Sequence, residues 1–489
     1  MINLIRNELT KISKKKSIYI TLLVTLAFVI FANVIYQIES DNYQYDLDAE
    51  IQFYEEELKN LNLNNTEDVQ IYVSYQRELQ IDKLIQKYGG FEAWQSQIIN
   101  EQGYELIYNV LYYQYIEPNE SQYIQAKKAY DNFVAKLDAD DWQYFAKEEL
   151  KGVENNLQVQ NNLKKQTSNK QEIAEIDERI QQLEVEKQIL NWRLEKNICY
   201  GYDYYNQCLS NYRNNKNIIQ SYESSDQSDL SDKEKYEEKQ SYYSALENAA
   251  IAQYDIEHET HTGDTTTAKG ILLNIFLEFE IFIIIMAVMI AGTIVSEEFN
   301  KGTIKLLLIK PYTRVKILTA KFITSLIMLL IVIILVMFMQ FVVGGIAQGF
   351  DSFGEPTVVY NHITNQLEEI NTIKYLAIQT LGKLPIYVLL LTLAFAFSTI
   401  FTNSALAIAI TLLGYMGSST INLLTYEFNL NWIKFFVTPN WDLTQYFFGR
   451  LPMFEGLTMA FSIAIIAAYM IIMLVPTYIV FKKKNIKNI

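Results

Sequence analysis

The stretch from Leu384 to Tyr426, LPIYVLLLTLAFAFSTIFTNSALAIAITLLGYMGSSTINLLTY, contains no charged residue. About 20 apolar residues are enough to cross the hydrocarbon core of a bilayer, so this stretch is long enough for two membrane-spanning helices. Thr402 and Asn403 interrupt the apolar residues near its middle and predict a turn. We therefore expect spans at residues 384–402 and 403–426, and a membrane protein.

Four further windows have the same character. They predict spans at residues 17–38, 271–296, 322–349 and 456–481. The first has no small-residue cleavage site after a short apolar core, so we expect a retained helix and not a removed signal peptide. The predicted fold is an all-α membrane protein with six transmembrane helices.

The charge of the 489-residue chain is distributed unevenly. Between residues 39 and 269 there are 44 acidic and 22 basic residues, although the whole chain has a net charge of −15. Residues 39–270 therefore predict a large water-facing domain between the first and second spans. The basic clusters lie beside apolar spans, where lipid headgroups account for them, so we expect membrane lipid as a partner and no nucleic acid.

Lys and Arg residues near the span ends predict the orientation. They cluster in residues 1–16, 297–321 and 482–489, which the positive-inside rule assigns to the cytoplasm. Six spans with both termini in the cytoplasm fit this assignment and place residues 39–270, 350–383 and 427–455 outside. Residues 1–16 have apolar side chains on one helical face, which predicts an amphipathic interface helix. This helix would either contact a cytoplasmic partner or anchor the chain by positive charge alone.

The external domain is predicted to be helical. Apolar residues follow 3–4 spacing at Ile173, Ile176, Ile180, Leu183, Leu190 and Leu194, with Lys187 as the one polar residue in this seam. A similar seam begins upstream at Leu150, Val153 and Leu157, and residues 166–169 are polar enough to form a turn between two antiparallel arms. We expect a coiled-coil hairpin, which would serve either packing or the recognition of a substrate or wall component.

The chain lacks the motifs of common catalytic and metal sites. There is no Walker-type G-x-x-x-x-G-K-[ST] loop, no HExxH and no CxxC, so we expect no catalytic residue, no metal and no cofactor in this chain. His258 and His261 could share a helical face and hold a metal with Glu257, but we favour a solvated linker there. Cys199 and Cys208 would stand too far apart for a disulfide on one continuous helix, unless a turn intervenes.

The cytoplasmic segment after the second span, residues 297–314, reads EEFNKGTIKLLLIKPYTR. Residues 303–310 predict a short helix, with Gly302 before it and Pro311 at its end. Exposed leucines on a short helix between two spans would suit a groove on another protein.

This segment, with its acid-Phe-x-x-Gly-Thr-Ile-Lys pattern followed by Leu, Pro and Thr-Arg, closely resembles the link between the second and third spans of ABC-2 type ABC-transporter permeases. The FVTPNWDL stretch at 436–443 and the FKKK at 481–484 are similar to the carboxy-terminal part of that family, particularly its peptide-antibiotic-resistance branch. The resemblance covers about residues 1–38 and 271–489. The long insert departs from the family, in which a brief loop is usual.

The resemblance implies a permease subunit of an exporter in the bacterial cell membrane. ATP and Mg would be bound by a separate cytoplasmic ABC ATPase subunit, and the permease would pair with a second copy or a sister permease. The cargo would be an amphipathic peptide, antibiotic or lipid, and the segment from about Phe428 to Arg450 would be re-entrant. The residues expected to couple the ATPase to the spans are Glu298, Phe299, Gly302, Thr303, Ile304, Leu306, Pro311 and Arg314.

A rival interpretation comes from the insert. The chain could be an ATPase-coupled mechanotransmitter whose external coiled coil regulates a cell-wall enzyme or relays a signal without moving cargo. A passive anchor for the external domain is a third interpretation, but it would need no coupling segment.

Glu278 and Glu280 interrupt the second span and are candidates for function, because carboxylates within membranes are costly. On a continuous helix they lie about 200° apart and cannot both face one pathway. In a structural role, one of them pairs with Lys383 or is hydrated at the membrane surface. In a functional role, Glu280 contacts a cation or a substrate.

Overall fold

A computed structural model describes residues 1–38, 46–305, 312–428 and 431–484. These residues are mostly α-helical, and six helical segments among them are long and apolar enough to cross a membrane. The predicted α-helical class and the six candidate spans are therefore confirmed. The chain forms two compact units. Unit 1 comprises Met1–Ser40, Asp229–Tyr243 and His261–Ile489, and unit 2 comprises Asp41–Ser228 and Ser244–Thr260.

The helices are, in chain order, α1 (Ile2–Ile12), α2 (Lys16–Ile38), α3 (Leu47–Lys59), α4 (Thr66–Lys87), α5 (Trp94–Ile98), α6 (Tyr104–Leu111), α7 (Glu120–Asp138), α8 (Trp142–Gln166), α9 (Lys170–Glu195), α10 (Tyr204–Ser224), α11 (Asp232–His258), α12 (Ala268–Leu273), α13 (Ile275–Glu278), α14 (Glu280–Ile294), α15 (Ser296–Asn300), α16 (Arg314–Gln348), α17 (Thr372–Phe401), α18 (Ser404–Glu427) and α19 (Met459–Lys483). Two strands, β1 (Thr357–Asn361) and β2 (Gln366–Ile370), lie between α16 and α17. The candidate spans are α2, α14 with α15, α16, α17, α18 and α19.

Several of these helices extend beyond the charge-free windows of the sequence. α16 begins at Arg314 and not at residue 322, and α17 begins at Thr372 and not at residue 384. Thr313 and Asn371 fix these starts, because each side chain accepts a backbone N–H of the first helical turn. An apolar window marks the part of a helix that fits the bilayer, whereas capping decides where the helix begins.

The expectation of one continuous span at residues 271–296 is wrong. The helix breaks at Asn274 and Phe279, and the segment of span length, Glu280–Asn300, begins only after the second break. The Asn274 side chain donates to the Gly270 carbonyl, and such a side-chain bond competes with the helical backbone. Glu278 and Glu280 therefore lie on opposite sides of a break, so the 200° estimate does not apply to them.

The segment 350–383 is not only a loop. β1 and β2 form an antiparallel hairpin in which Val359 pairs with Glu368. The run TVVY is rich in β-branched and aromatic residues, which favour a strand. In the turn, Asn365 adopts a left-handed conformation with φ 52°, which asparagine tolerates better than most residues.

The long helices of unit 2 begin at good capping residues. The N-caps of α3, α4, α7, α8, α9 and α10 are Asp46, Asn65, Asn119, Asp141, Asn169 and Asp203, and each accepts a backbone N–H of its helix. α8 and α9 pair across a turn at residues 167–169, where the sequence predicted one. The apolar residues Leu157, Ile176, Leu183 and Leu190 are buried, and Lys187 forms an ion pair with Glu154 at 3.2 Å.

More residues of α9 are buried than the 3–4 spacing of apolar residues in the sequence predicts. Trp192 is buried and its ring lies 4.8 Å from that of Tyr212 on α10, between ring centroids. Ile189 and Arg193 are also buried. α9 therefore packs against both α8 and α10, whereas a two-helix hairpin would leave one of these faces exposed.

Asp82 on α4 makes the stability of unit 2 depend on pH. Its carboxylate is buried, and Oδ2 has no hydrogen-bond partner among the described residues. Burial, together with the charges of Glu50 and Glu78, raises the pKa of Asp82 to about 6. The folded state thus holds the proton more tightly than the unfolded chain, whose Asp has a pKa of about 3.9. Stability from this group is complete below pH 4 and is lost as the pH rises through 6.

We expect the Asp82→Asn variant to remove this pH dependence and to stabilise α4 at pH 7.5 by on the order of 1–2 kcal/mol. Hydrogen exchange of the α4 amides, measured by mass spectrometry in the full-length protein between pH 4 and 7.5, tests this after correction for the intrinsic exchange rate. Asp131→Asn on the surface of α7 is the control, because the Asp131 side chain is 58% exposed. Parallel pH profiles for the wild type and Asp82→Asn would contradict the assignment.

Candidate functional site

The candidate site lies in unit 1, where α1, α15 and the first turns of α16 meet, and its centre is Lys321. The Lys321 side chain is fully buried. Its Nζ donates to Glu8 Oε2 at 2.7 Å and to the Ile294 carbonyl at 3.0 Å, and it lies 3.5 Å from Glu298 Oε1. A buried ammonium is tolerated only when paired and hydrogen-bonded, and these three contacts meet that requirement.

Lys11 closes this cluster from α1. Its Nζ donates to Glu298 Oε1 at 2.8 Å and to Glu8 Oε1 at 3.2 Å. Burial lowers the pKa of Lys11, but hydrogen bonds and attraction from Glu298 and Glu8 outweigh it, so its pKa is raised. Two lysines and two glutamates thus alternate, and their charges balance. We call Glu8, Lys11, Glu298 and Lys321 the four-charge cluster.

A second, more exposed set of ion pairs surrounds the four-charge cluster. Lys15 Nζ donates to Thr293 Oγ1 at 2.9 Å and to Glu297 Oε1 at 3.0 Å, and Lys301 pairs with Glu297 Oε2 at 3.3 Å. Burial lowers the pKa of Lys15 in spite of the hydrogen bond to Glu297. A cavity of about 650 Å³ opens beside these groups, and it is lined by five lysines and three glutamates: Glu8, Lys11, Lys14, Lys15, Lys16, Glu297, Glu298 and Lys301.

The turn after α15 holds Glu298 in position. Gly302 adopts φ +67°, a left-handed conformation that glycine reaches without steric cost. This turn brings the Thr303 hydroxyl to Glu298 Oε2, to which it donates at 2.5 Å. Ile304 is fully buried and fixes the start of the link. Four of the predicted coupling residues are therefore joined here, whereas Leu306 and Pro311 lie outside the described residues.

Phe299 is a core residue and not a surface contact. Its side chain is 3% exposed, and its ring lies 6.4 Å from that of Phe481 on α19. Lys484 Nζ lies 5.0 Å from the Phe299 ring centroid and donates to the carbonyls of Thr399 and Ile400 at the end of α17. A Phe299→Asp substitution would disrupt this packing. Loss of a partner protein from such a variant would therefore not show that Phe299 contacts the partner.

Arg314 also contacts the end of the last span. Its Nη1 donates to the carbonyl of Lys484 at 2.7 Å and to that of Lys482 at 3.2 Å. The start of α16 is thereby tied to the end of α19.

Sequence reasoning missed Glu8, Lys11 and Lys321 as site residues. Glu8 carried a signal, since it is the one acidic residue in the basic segment 1–16.

Glu280 belongs to a second charged group in unit 1. Lys383 Nζ lies 2.8 Å from Asp442 Oδ2 and 3.6 Å from Glu280 Oε1, which is the pairing with Lys383 that the sequence allowed. The Tyr415 hydroxyl donates to Glu280 Oε2 at 3.1 Å. Glu278 is half-buried at the end of α13. Lys383 therefore bridges the start of α14 and the segment before α19.

The histidines do not share a helical face. α11 ends at His258, and Glu259 has φ +55°, so the helix does not continue to His261. His258 stacks on Tyr254, whereas His261 Nδ1 lies 3.3 Å from Glu355 Oε1. Among the described residues no group of three or more His, Cys, Asp or Glu side chains is arranged to hold a metal. Cys199 and Cys208 form no disulfide with each other.

Comparison with known proteins places the match on the carboxy-terminal half of the chain. Residues 244–487 match a family model described as a protein of unknown function, DUF2705. The Bacillus subtilis protein YhcI, described as uncharacterized, is 32% identical over 246 residues, which make up 50% of this chain and 76% of YhcI. YdbK of the same organism, described as an uncharacterized membrane protein, is 29% identical over 203 residues, or 41% of this chain and 77% of YdbK. No solved structure matches the chain.

The DUF2705 match includes α14, α15 and α16, and with them Lys321; it also includes Lys383. It excludes α1 with Glu8 and Lys11. It also excludes most of unit 2. At this identity and coverage, the chain belongs to the same protein family as YhcI.

Proposed function

We propose that this protein is the membrane subunit of an ATP-driven exporter, coupled to a separate cytoplasmic ABC ATPase. The observation that carries the proposal is the position of Glu298. It lies three residues before Lys301 and seven before Lys305, both of which are exposed, and ion pairs join it to both α1 and α16. A force applied at Lys301 or Lys305 would therefore reach two other helices through one buried group.

The same contacts would carry the coupling. An ATPase that binds the link differently in its ATP-bound and ATP-free states would shift unit 1 between two arrangements, by as much as that difference in binding free energy. Thr303, Gly302 and Ile304 hold the link to α15, and Arg314 holds its other end to α19. The cytoplasmic location of this face, the bacterial cell membrane and a second permease copy or sister permease are parts of the proposal. The cargo would be an amphipathic peptide, antibiotic or lipid.

The mechanotransmitter remains a second candidate because unit 2 is a compact helical unit of its own. Its paired helices α8 and α9 are 25 and 26 residues long, which gives each a length of roughly 38 Å. Deletion of both segments of unit 2, residues 46–228 and 244–260, would separate the two functions. Export that survives the deletion would support the exporter, whereas loss of a cell-wall phenotype with unchanged export would support the rival.

We expect a Walker-motif ATPase to co-purify with the full-length protein from native membranes in mild detergent, and to be lost at least tenfold from a Lys301→Glu/Lys305→Glu variant. Both side chains are exposed, and reversing their charge alters the contact surface and removes only one exposed ion pair. Immunoblotting and mass spectrometry of the purified complex measure the ratio of ATPase to permease.

The matched control is Lys128→Glu/Lys165→Glu, which makes the same charge change at exposed positions in unit 2. Equal ATPase recovery from both double variants would refute the link as the contact surface. Absence of any ATPase from the wild-type preparation would refute the exporter and the mechanotransmitter together.

A further inference from the structure

Unit 2 contains a cavity of about 860 Å³ that the proposed function does not use. Its walls come from α8, α9, α10 and the segment 97–101. The volume lies in the range of sites that hold small ligands. Its lining mixes carboxamide, charged and aromatic side chains with a few apolar ones, which favours a polar ligand.

Arg193 in the cavity wall is a buried cation without an ion-pair partner among the described residues. Its side chain is 6% exposed, Nη1 donates to the Ile198 carbonyl at 3.2 Å, and the guanidinium lies 4.0 Å from the Tyr200 ring centroid. One carbonyl leaves most of its five N–H donors unused. By contrast, Arg213 in the same wall is satisfied by Glu186, with contacts of 2.5 and 2.9 Å. The spare donors of Arg193 have the fork geometry that binds a carboxylate.

Asn206 provides a second, independent indication of a ligand. The residue is 8% exposed and lines the cavity, and its Nδ2 donates to the Cys199 carbonyl at 2.7 Å. Its Oδ1 is buried and receives no hydrogen bond from the residues that the structure describes. A buried acceptor without a donor is costly, and an N–H group of a ligand would satisfy it once the Asn206 side chain rotates toward the cavity.

The other wall residues narrow the ligand class. Gln97 already bonds Gly201 and Glu101, but Asn100 and Asn156 supply both donors and acceptors. The repeating N–H and C=O groups of a peptide backbone require both kinds of group. Glu101 and Glu149 also face the cavity and disfavour a polyanion such as a polyphosphate. We propose that this cavity binds a short peptide, with its free carboxylate on Arg193 and a backbone N–H on Asn206.

Equilibrium dialysis of the full-length detergent-solubilised protein against an equimolar mixture of tripeptides, with bound peptide measured by mass spectrometry, tests the proposal. We expect the wild type to retain tripeptides with free carboxylates at least tenfold over the same mixture with amidated carboxyl ends. Arg193→Gln should lose this preference. Arg193→Lys keeps the charge but not the fork, so it should retain less than a third of the wild-type binding.

Arg179→Gln is the matched control, since Arg179 is exposed on the same helix and does not line the cavity. If Arg193→Gln does not fold, the amidated peptides and Arg193→Lys still give the result. Equal retention of free and amidated peptides by the wild type would overturn the proposal. Tighter binding of an oligogalacturonate, a chain of sugar acids, than of the tripeptides would also overturn the proposal, because it would identify a sugar acid as the ligand.

Discussion

The Lys321→Met variant should lower the free energy of unfolding by roughly 3–5 kcal/mol, the largest effect that we expect from a single substitution in this chain. Lys321 is fully buried between Glu8 and Glu298, whose side chains are 7% and 11% exposed. Methionine preserves most of the volume but leaves two buried carboxylates with only Lys11 to neutralise them. Loss of one partner from a buried ion pair costs more than loss of the whole pair, because the remaining charge stays desolvated.

Thermal unfolding in mild detergent, followed by circular dichroism at several detergent concentrations, measures this effect. Lys316→Met is the matched control on the same helix, because Lys316 is exposed and should change stability by less than about 0.5 kcal/mol. The triple variant Lys321→Met/Glu8→Gln/Glu298→Gln should recover most of the loss, since the one charge that it leaves without an ion-pair partner, on Lys11, is 48% exposed. A Lys321→Met protein as stable as the wild type would show that the four-charge cluster is not formed.

The fold was accessible from sequence to the extent that local composition determines it. Apolar windows predicted six spans because the bilayer fixes the length of a crossing helix. The helix ends were missed where capping by Thr313 or Asn371 extended a helix past its apolar window. The break at Phe279 was missed because nothing in a hydropathy pattern distinguishes a bent span from a straight one.

The candidate site was accessible only in part, for a different reason. Glu298 and Thr303 are five residues apart, so a local motif could indicate their hydrogen bond. Lys321 and Glu8 are 313 residues apart, and a lysine at the edge of an apolar window reads equally well as an interface anchor. Whether Lys321 is an interface anchor or a core residue depends on its burial, and its burial depends on how α1 packs against α16. The same limit applies to Phe299, whose aromatic side chain suits a partner surface or a core.

The second large effect should come from Lys383, which bridges Glu280 and Asp442. Lys383→Met should destabilise the protein by roughly 2–3 kcal/mol, less than Lys321→Met because the three side chains are 19%, 21% and 31% exposed. The loss leaves Asp442 held by Thr444 and Glu280 held by the Tyr415 hydroxyl, but removes the ammonium group that both carboxylates share. Lys374→Met, at an exposed position on the same helix, is the matched control for thermal unfolding.

A neutral triple variant, Lys383→Met/Glu280→Gln/Asp442→Asn, separates a structural role of Glu280 from contact with a substrate or cation. If Lys383 only satisfies the two carboxylates, the triple variant should regain wild-type stability and, under the proposed function, support wild-type ATP hydrolysis by the proposed ATPase partner. If Glu280 contacts what is moved, the triple variant should be stable yet lose stimulation of that ATPase by cargo. A Lys383→Met variant with wild-type stability would contradict the bridge itself, because removal of a shared cation cannot be neutral when two desolvated carboxylates depend on it.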